Sequence, residues 1–160
     1  MVENSKNLLI KLIFLISVIA LVSAFFIEYV LGHQPCNLCI LERIPYLLAI
    51  IIILFSFKFS HYEKFFILLL SIIFLAGAII SLYHLGIEQG FIQESLVCDL
   101  KSGSNLLSKE EILKQLQEKN VSCKNVTFKI FGLSLTSYNI LISLLITVST
   151  GKIYFNYEKN

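Results

Sequence analysis

The sequence predicts an all-α integral membrane protein, a bundle of four transmembrane helices with one long extramembrane loop. Three observations predict it. Of the 160 residues, 56% are hydrophobic and 15% charged, with a mean hydropathy of +0.79, a balance that excludes an ordinary soluble domain. The apolar residues gather into four blocks, at about 8–31, 38–57, 65–83 and 130–149, each close to the ~20 residues a helix needs to cross the hydrocarbon core. The blocks lack the alternation of barrel strands, and in lipid only helices or closed barrels satisfy every backbone group. The length fits a single membrane domain, 1–160.

In the first block, Lys6 and Lys11 precede the apolar run, and Val22-Ser23-Ala24 resembles a signal-peptidase site. The apolar run continues through Phe25, Phe26 and Ile27 to Leu31, longer than a signal h-region, so an uncleaved span is expected. Charge placement sets the orientation. Lys6 and Lys11 lie before the first block, Lys58 and Lys64 between the second and third, and Lys152 and Lys159 after the fourth. The short link at 32–37 has no Lys or Arg. Cytoplasmic loops are rich in Lys and Arg, so both termini are expected inside. The long third link also carries six lysines, matched by six acids.

The second block opens on Cys36-Asn37-Leu38-Cys39. Thiolate is the reactive form of cysteine, and its pKa falls at helix N-termini, near cations and in CxxC motifs. Arg43 follows Cys39 at i+4, on the same face of a continuous helix. Pro45 either kinks that helix or starts it, leaving the CxxC in a preceding turn. Redox chemistry is the favoured reading, because a structural bond closing so small a loop constrains the unfolded chain little. Metal binding and inert thiols are the alternatives. A zinc site would want a second local pair or nearby histidines, and only His33 is close in sequence. No metal ligands are therefore assigned.

The third block leads into a long polar loop, 84–129. A loop of this length is usually functional. Ser108 and Glu111 form a capping box, with Leu107 and Ile112 placed as a hydrophobic staple. A short amphipathic helix is expected there, lying on the membrane surface or packing on the bundle top. Residues 101–105, Lys-Ser-Gly-Ser-Asn, are a flexible composition. Asn120 and Asn125 stand in glycosylation sequons, of a kind that arises by chance. Cys98 and Cys123 bracket the capped helix. Alone they would read as a structural staple. Beside an activated CxxC, two disulfides on one membrane face can exchange if a thiolate from one reaches a sulfur of the other. All four cysteines fall on the predicted outer side, and their even number suggests an oxidising compartment, in a bacterium the periplasm.

The exchange needs an electron sink, and no Gly-rich nucleotide fingerprint is present. A CxxC at the lipid boundary suits a membrane-soluble oxidant such as a quinone. Arg43 would orient a quinone carbonyl and stabilise charge developing on it; otherwise it is an interfacial anchor.

Cys36-x-x-Cys39 followed by Ile40-Leu41-Glu42-Arg43, with a cysteine pair between spans three and four, resembles the DsbB family of disulfide-generating membrane proteins. The segments 83–90, Cys98-Asp99 and 131–135 resemble family segments too. The related vitamin K epoxide reductases place their loop cysteines before the CxxC, an order absent here. The resemblance implies a four-helix bundle, a quinone acceptor (ubiquinone or menaquinone), and a periplasmic DsbA-like partner of thioredoxin fold. It implies that Cys98 forms the mixed disulfide with the partner, that Cys123 attacks Cys36, and that Cys39 passes electrons to quinone beside Arg43, with His84 near the headgroup. A DsbA partner near about −120 mV could not be oxidised by an ordinary structural disulfide below about −300 mV. The loop bond must then be strained or exposed, or the quinone must draw the reaction forward. Two departures stand out. The chain has no Trp, and Thr136 stands where many members have a proline opening the fourth helix.

The expected protein is thus a bacterial inner-membrane thiol oxidase with cytoplasmic termini and periplasmic cysteines. Its partners are the dithiol protein and membrane lipid, with no nucleic acid. A metal-binding or disulfide-stapled structural membrane protein is the alternative.

Overall fold

The computed structural model describes residues 2–93, 98, 123–124, 129–130 and 132–158. The capped helix expected at Ser108, the segment 101–105, the sequons at Asn120 and Asn125, and Asp99 and Phe131 lie outside the described residues. The described chain is helical apart from one small hairpin. Its elements are α1 (Val2–Tyr29), α2 (Asn37–Leu41), α3 (Ile44–Lys58), a single 3-10 turn (Ser60–Tyr62), α4 (Glu63–Glu88), β1 (Lys129–Ile130), β2 (Leu133–Ser134) and α5 (Leu135–Glu158). Four stretches are long and apolar enough to cross a membrane: Lys6–Tyr29, Asn37–Lys58, Glu63–Glu88 and Leu135–Asn156. The architecture is that of a multi-pass membrane protein.

The helices pack as an inverted version of a soluble bundle. Large apolar side chains such as Ile19, Leu54, Ile79 and Leu145 face outward, where lipid is as favourable a neighbour as another helix. Small polar residues, Ser17, Ser81, Ser143 and Thr150, lie buried between the helices. Thr150 is satisfied within its own helix, donating to the Ile146 carbonyl at 2.7 Å. The apolar centre is built from Ile10 and Ile13 of α1, Tyr46, Ala49, Ile52 and Ile53 of α3, Leu70 and Phe74 of α4, and Ile146 of α5. Tyr46 meets Phe74 edge to face, with ring centroids 5.6 Å apart.

The second span is broken, and Pro45 is the cause. It has no N–H to give to the residue-41 carbonyl and suits the first turn of a helix. A one-turn helix α2 therefore ends at Leu41, and α3 starts afresh at Ile44 with Pro45 in its first turn. The Pro45 ring seats on α4 at Gly77, where an added Cβ would lie 3.0 Å from its Cγ. The fourth span is shorter at its start than the apolar block. Ile130 pairs with Leu133 in the hairpin, which turns at Gly132 with φ +82°, and α5 begins only at Leu135.

The helix α4 continues past its apolar run to Glu88 and closes in a left-handed cap. Gly90 has φ +79°, the Gly90 N–H donates to the Ile87 carbonyl at 3.0 Å, and the Phe91 N–H donates to Gly86 at 2.9 Å. These two bonds form a Schellman motif. It keeps α4 regular through His84.

The two ends of the bundle differ. At one end Lys6 pairs with Glu63 at 2.7 Å, and the Lys64 ammonium lies 5.3 Å from the Tyr154 ring centroid. The CxxC, His84 and Thr136 are at the other.

Replacing Gly77 by leucine forces a branched side chain into the Pro45 ring. Overpacking of this kind costs about 1–3 kcal/mol, so Gly77→Leu lowers the thermal unfolding midpoint in detergent. Gly77→Ala changes it much less, because the added helix propensity offsets the tighter contact.

Candidate redox site

The start of the second span gives Cys36 its position. Cys36 is the N-cap of α2, with extended backbone at φ −73° and ψ 167°. Its sulfur accepts the Cys39 backbone N–H at 3.2 Å, the role a cap side chain plays for orphan helix donors. The CxxC spacing puts Cys39 on the first turn. Cys36 is buried and Cys39 is partly exposed, and both are free thiols.

The helix α4 presents His84 to this turn. The imidazole is 2% exposed. Its Nε2 lies 3.5 Å from the Cys36 sulfur, and its Nδ1 lies 2.7 Å from Glu42 Oε1. A carboxylate can only accept, so Nδ1 carries the hydrogen. The Thr136 hydroxyl, in the first turn of α5, is 3.2 Å from the same Nδ1 and donates to Glu88 at 2.7 Å. Glu88 itself comes within 3.8 Å of Nε2. Behind Glu42, Asn139 donates to its second oxygen at 3.0 Å and to Ser81 at 2.8 Å, while the Tyr46 hydroxyl donates to the Asn139 carbonyl. Three helices thus contribute to one buried polar network.

The network acts on Cys36. Its thiol pKa is lowered from 9.0 to about 5, first by the hydrogen bond from the Cys39 side chain and then by the bond and charge of His84, against the opposing effect of burial. These contacts favour the thiolate form of Cys36. Cys36, Cys39 and His84 also offer three donor atoms that all lie within 4.8 Å of one another.

The loop pair lies over this turn. Cys98 and Cys123 are joined in a disulfide with Cα atoms 6.0 Å apart. Asn37 donates its side-chain amide to the Cys98 carbonyl at 3.3 Å, and Cys123 is buried at 2%. Cys36, Cys123, Leu38 and Ile87 form one buried cluster, with Cys39, Cys98 and Tyr83 packed against it. All four cysteines share one site.

Arg43 falls in the break between α2 and α3. Its guanidinium donates through Nη1 to Glu28 of α1 at 2.5 Å and stands 5.3 Å from the centroid of the Phe25 ring. The sequence points to Arg43 and His84 as site residues; Glu42 and Glu88 enter there only inside segments that resemble the family, and Glu28 and Asn139 do not enter. A signal for the acids was available, since an ionisable residue inside an apolar span is a functional candidate by default. In the sequence Thr136 stands out only as a departure from the family pattern; its hydroxyl, which a proline would lack, donates to Glu88.

The family model for the disulfide bond formation protein DsbB matches residues 6–152. A relative from Rickettsia prowazekii (strain Madrid E), the uncharacterized protein RP370, is 34% identical over 150 residues, covering 91% of this chain and 86% of its own length. No solved structure matches.

The ultraviolet thiolate absorbance of Cys36, followed against pH in detergent, is expected to titrate near pH 5. Cys39→Ala removes the largest of the lowering contacts and His84→Ala the next. Each moves the midpoint upward toward the ordinary thiol range.

Proposed function

The chain belongs to the DsbB family of disulfide bond formation proteins, and from that premise we propose that it is a quinone-dependent thiol oxidase of the bacterial inner membrane. It reoxidises a periplasmic, DsbA-like dithiol protein of thioredoxin fold. Both termini are cytoplasmic in this reading and the four cysteines periplasmic. Support comes from Lys6 and Lys64, which lie at the bundle end opposite the cysteines, as the positive-inside rule requires.

The observation that carries the reading is the single buried cluster holding both cysteine pairs. Exchange proceeds by thiolate attack on a disulfide sulfur. A thiolate of the reduced partner attacks Cys98, forms the mixed disulfide and expels Cys123. Cys123 attacks Cys36 of an oxidised Cys36–Cys39 bond and expels Cys39. The partner's second thiol attacks its own sulfur in the mixed disulfide, closes the partner's disulfide and releases Cys98. Cys98 then attacks Cys123 and expels Cys36. The partner ends oxidised, the loop bond is restored, and Cys36 and Cys39 hold the two electrons. That end state matches the covalent state of the structure, a loop disulfide over two free thiols. A thiol of low pKa leaves fastest, and Cys36, lowered to about 5, suits the last step.

A quinone bound beside Cys39 supplies the two-electron oxidant that returns the pair to a disulfide. The residues present fit such a group. Arg43 has a partly exposed side chain and gives one nitrogen to Glu28, leaving other guanidinium donors for a carbonyl oxygen. Phe25 offers an aromatic face next to it. Glu28 fixes the guanidinium in place. His84, behind Cys36, takes the thiol proton at Nε2, and Glu42 stabilises the imidazolium that results.

Anaerobic mixing of the protein, reduced partner and quinone is expected to yield quinol. Cys39→Ser yields none, and turnover by that variant rejects the reading. Arg43→Ala raises the KM for quinone by about 10–100-fold, the worth of a hydrogen bond from a charged donor, and leaves the KM for the partner little changed. Equal effects on both would place Arg43 outside the headgroup site.

A further inference from the structure

The reduced CxxC does not stand alone: a third donor reaches it from another helix. Cys36 Sγ, Cys39 Sγ and a ring nitrogen of His84 converge, all within 4.8 Å, and Nε2 is the nitrogen that faces Cys36, at 3.5 Å. The imidazole is already prepared as a ligand. Its Nδ1 is bonded to the Glu42 carboxylate at 2.7 Å, which fixes the ring and leaves Nε2 directed at the sulfurs. A carboxylate behind a histidine in this way is the usual support of a zinc ligand. Glu42 is held in turn by Asn139 at 3.0 Å. From this arrangement we propose that the dithiol form of the protein binds one zinc ion through Cys36, Cys39 and His84, and that the ion blocks its oxidation.

The donor set is one zinc favours, two thiolates and an imidazole. At Zn–S near 2.3 Å and Zn–N near 2.0 Å, tetrahedral donors sit about 3.5–3.8 Å apart. The three atoms must therefore close by about an ångström at most. Cys39, partly exposed, gives the side of entry. Three protein ligands leave the fourth position to solvent. Binding releases the Cys39 thiol proton and the proton that His84 has taken at Nε2 from Cys36, since the ligands must be deprotonated. It involves no electron transfer, and the Cys98–Cys123 bond stays intact. With both sulfurs on the metal, neither can attack the loop disulfide or be oxidised to a disulfide. In the oxidised form the two sulfurs are bonded to each other and the site does not exist. The ion is thus a brake that acts only when reduced protein accumulates. The proposal rests on the reading that the pair cycles between dithiol and disulfide.

The test uses full-length protein in detergent, first oxidised and then with the CxxC reduced, titrated anaerobically with Zn2+ against a chromogenic chelator. Co2+ in place of zinc gives a sulfur-to-metal charge-transfer band. The expected result is one equivalent bound by the reduced form and none by the oxidised form. Cys36→Ser and His84→Ala should each lose it. Glu42→Gln should weaken binding by about 10–100-fold, as loss of a supporting hydrogen bond does. Cys98→Ala combined with Cys123→Ala should retain binding. Absence of uptake by the reduced protein overturns the proposal, as does uptake that survives His84→Ala or requires Cys98 and Cys123. Should Glu42→Gln fail to fold, the charge-transfer band of the unaltered protein and its loss in His84→Ala decide the matter. Quinol formation by chelator-treated protein is measured alongside. If it fails, the oxidase reading falls; if it proceeds and zinc is not bound, only this inference falls.

Discussion

His84 has one ring nitrogen 2.7 Å from the Glu42 carboxylate and the other 3.5 Å from the Cys36 sulfur, with the ring almost wholly buried. Inside a membrane bundle a carboxylate without partners is costly, and removing one member of a buried pair commonly destabilises by about 3–5 kcal/mol. The surrounding polar atoms exist to meet that demand. Asn139 covers one carboxylate oxygen, Tyr46 and Ser81 hold Asn139, and Thr136 holds Glu88. The same contacts that satisfy the buried charges fix the ring against the sulfur. Stability and thiol activation are therefore one arrangement here.

The break in the second span makes this arrangement reachable. Cys36 caps the first turn of the span and accepts the Cys39 N–H, and the restart at Pro45 leaves Glu42 and Arg43 in the break just beyond that turn. Gly77 lets the Pro45 ring approach α4 closely, and His84, about two turns further along the same helix, meets Cys36. The break also exposes Arg43 between two helices, where Glu28 and Phe25 of α1 receive it. One proline thus sets the break that holds a carboxylate, Glu42, and a cation, Arg43.

The loop pair joins this centre by burial, not by sequence. Cys123 sits in the same apolar cluster as Cys36 and Ile87, and Asn37 ties the Cys98 carbonyl to the start of α2. Leu38 and Ile87 keep solvent from the sulfurs while the partly exposed Cys39 faces outward. Cys36 and Cys123 are thus buried together, with Cys39 partly exposed beside them.

Much of this protein was legible in the chain alone. Four apolar runs determined four helices, because lipid leaves the backbone no other partner than itself. The CxxC, its Arg43 and the order of the cysteine pairs carried the family resemblance that the family comparison bears out. The restart at Pro45 was one of two outcomes the sequence left open, since a proline permits either a kink or a new first turn. Glu42 is visible only as part of the Ile40–Arg43 motif, and Glu28 and Asn139 carry no signal of their partners, because nothing in one dimension shows which residue of another helix each one meets. Glu42 meets His84 only when α2 and α4 pack side by side, and Glu28 meets Arg43 only across α1. The sequence determined which groups could ionise and which segments must be helical; tertiary packing decided which ionisable groups touch, since contact between residues on separate helices depends on helix placement and not on spacing.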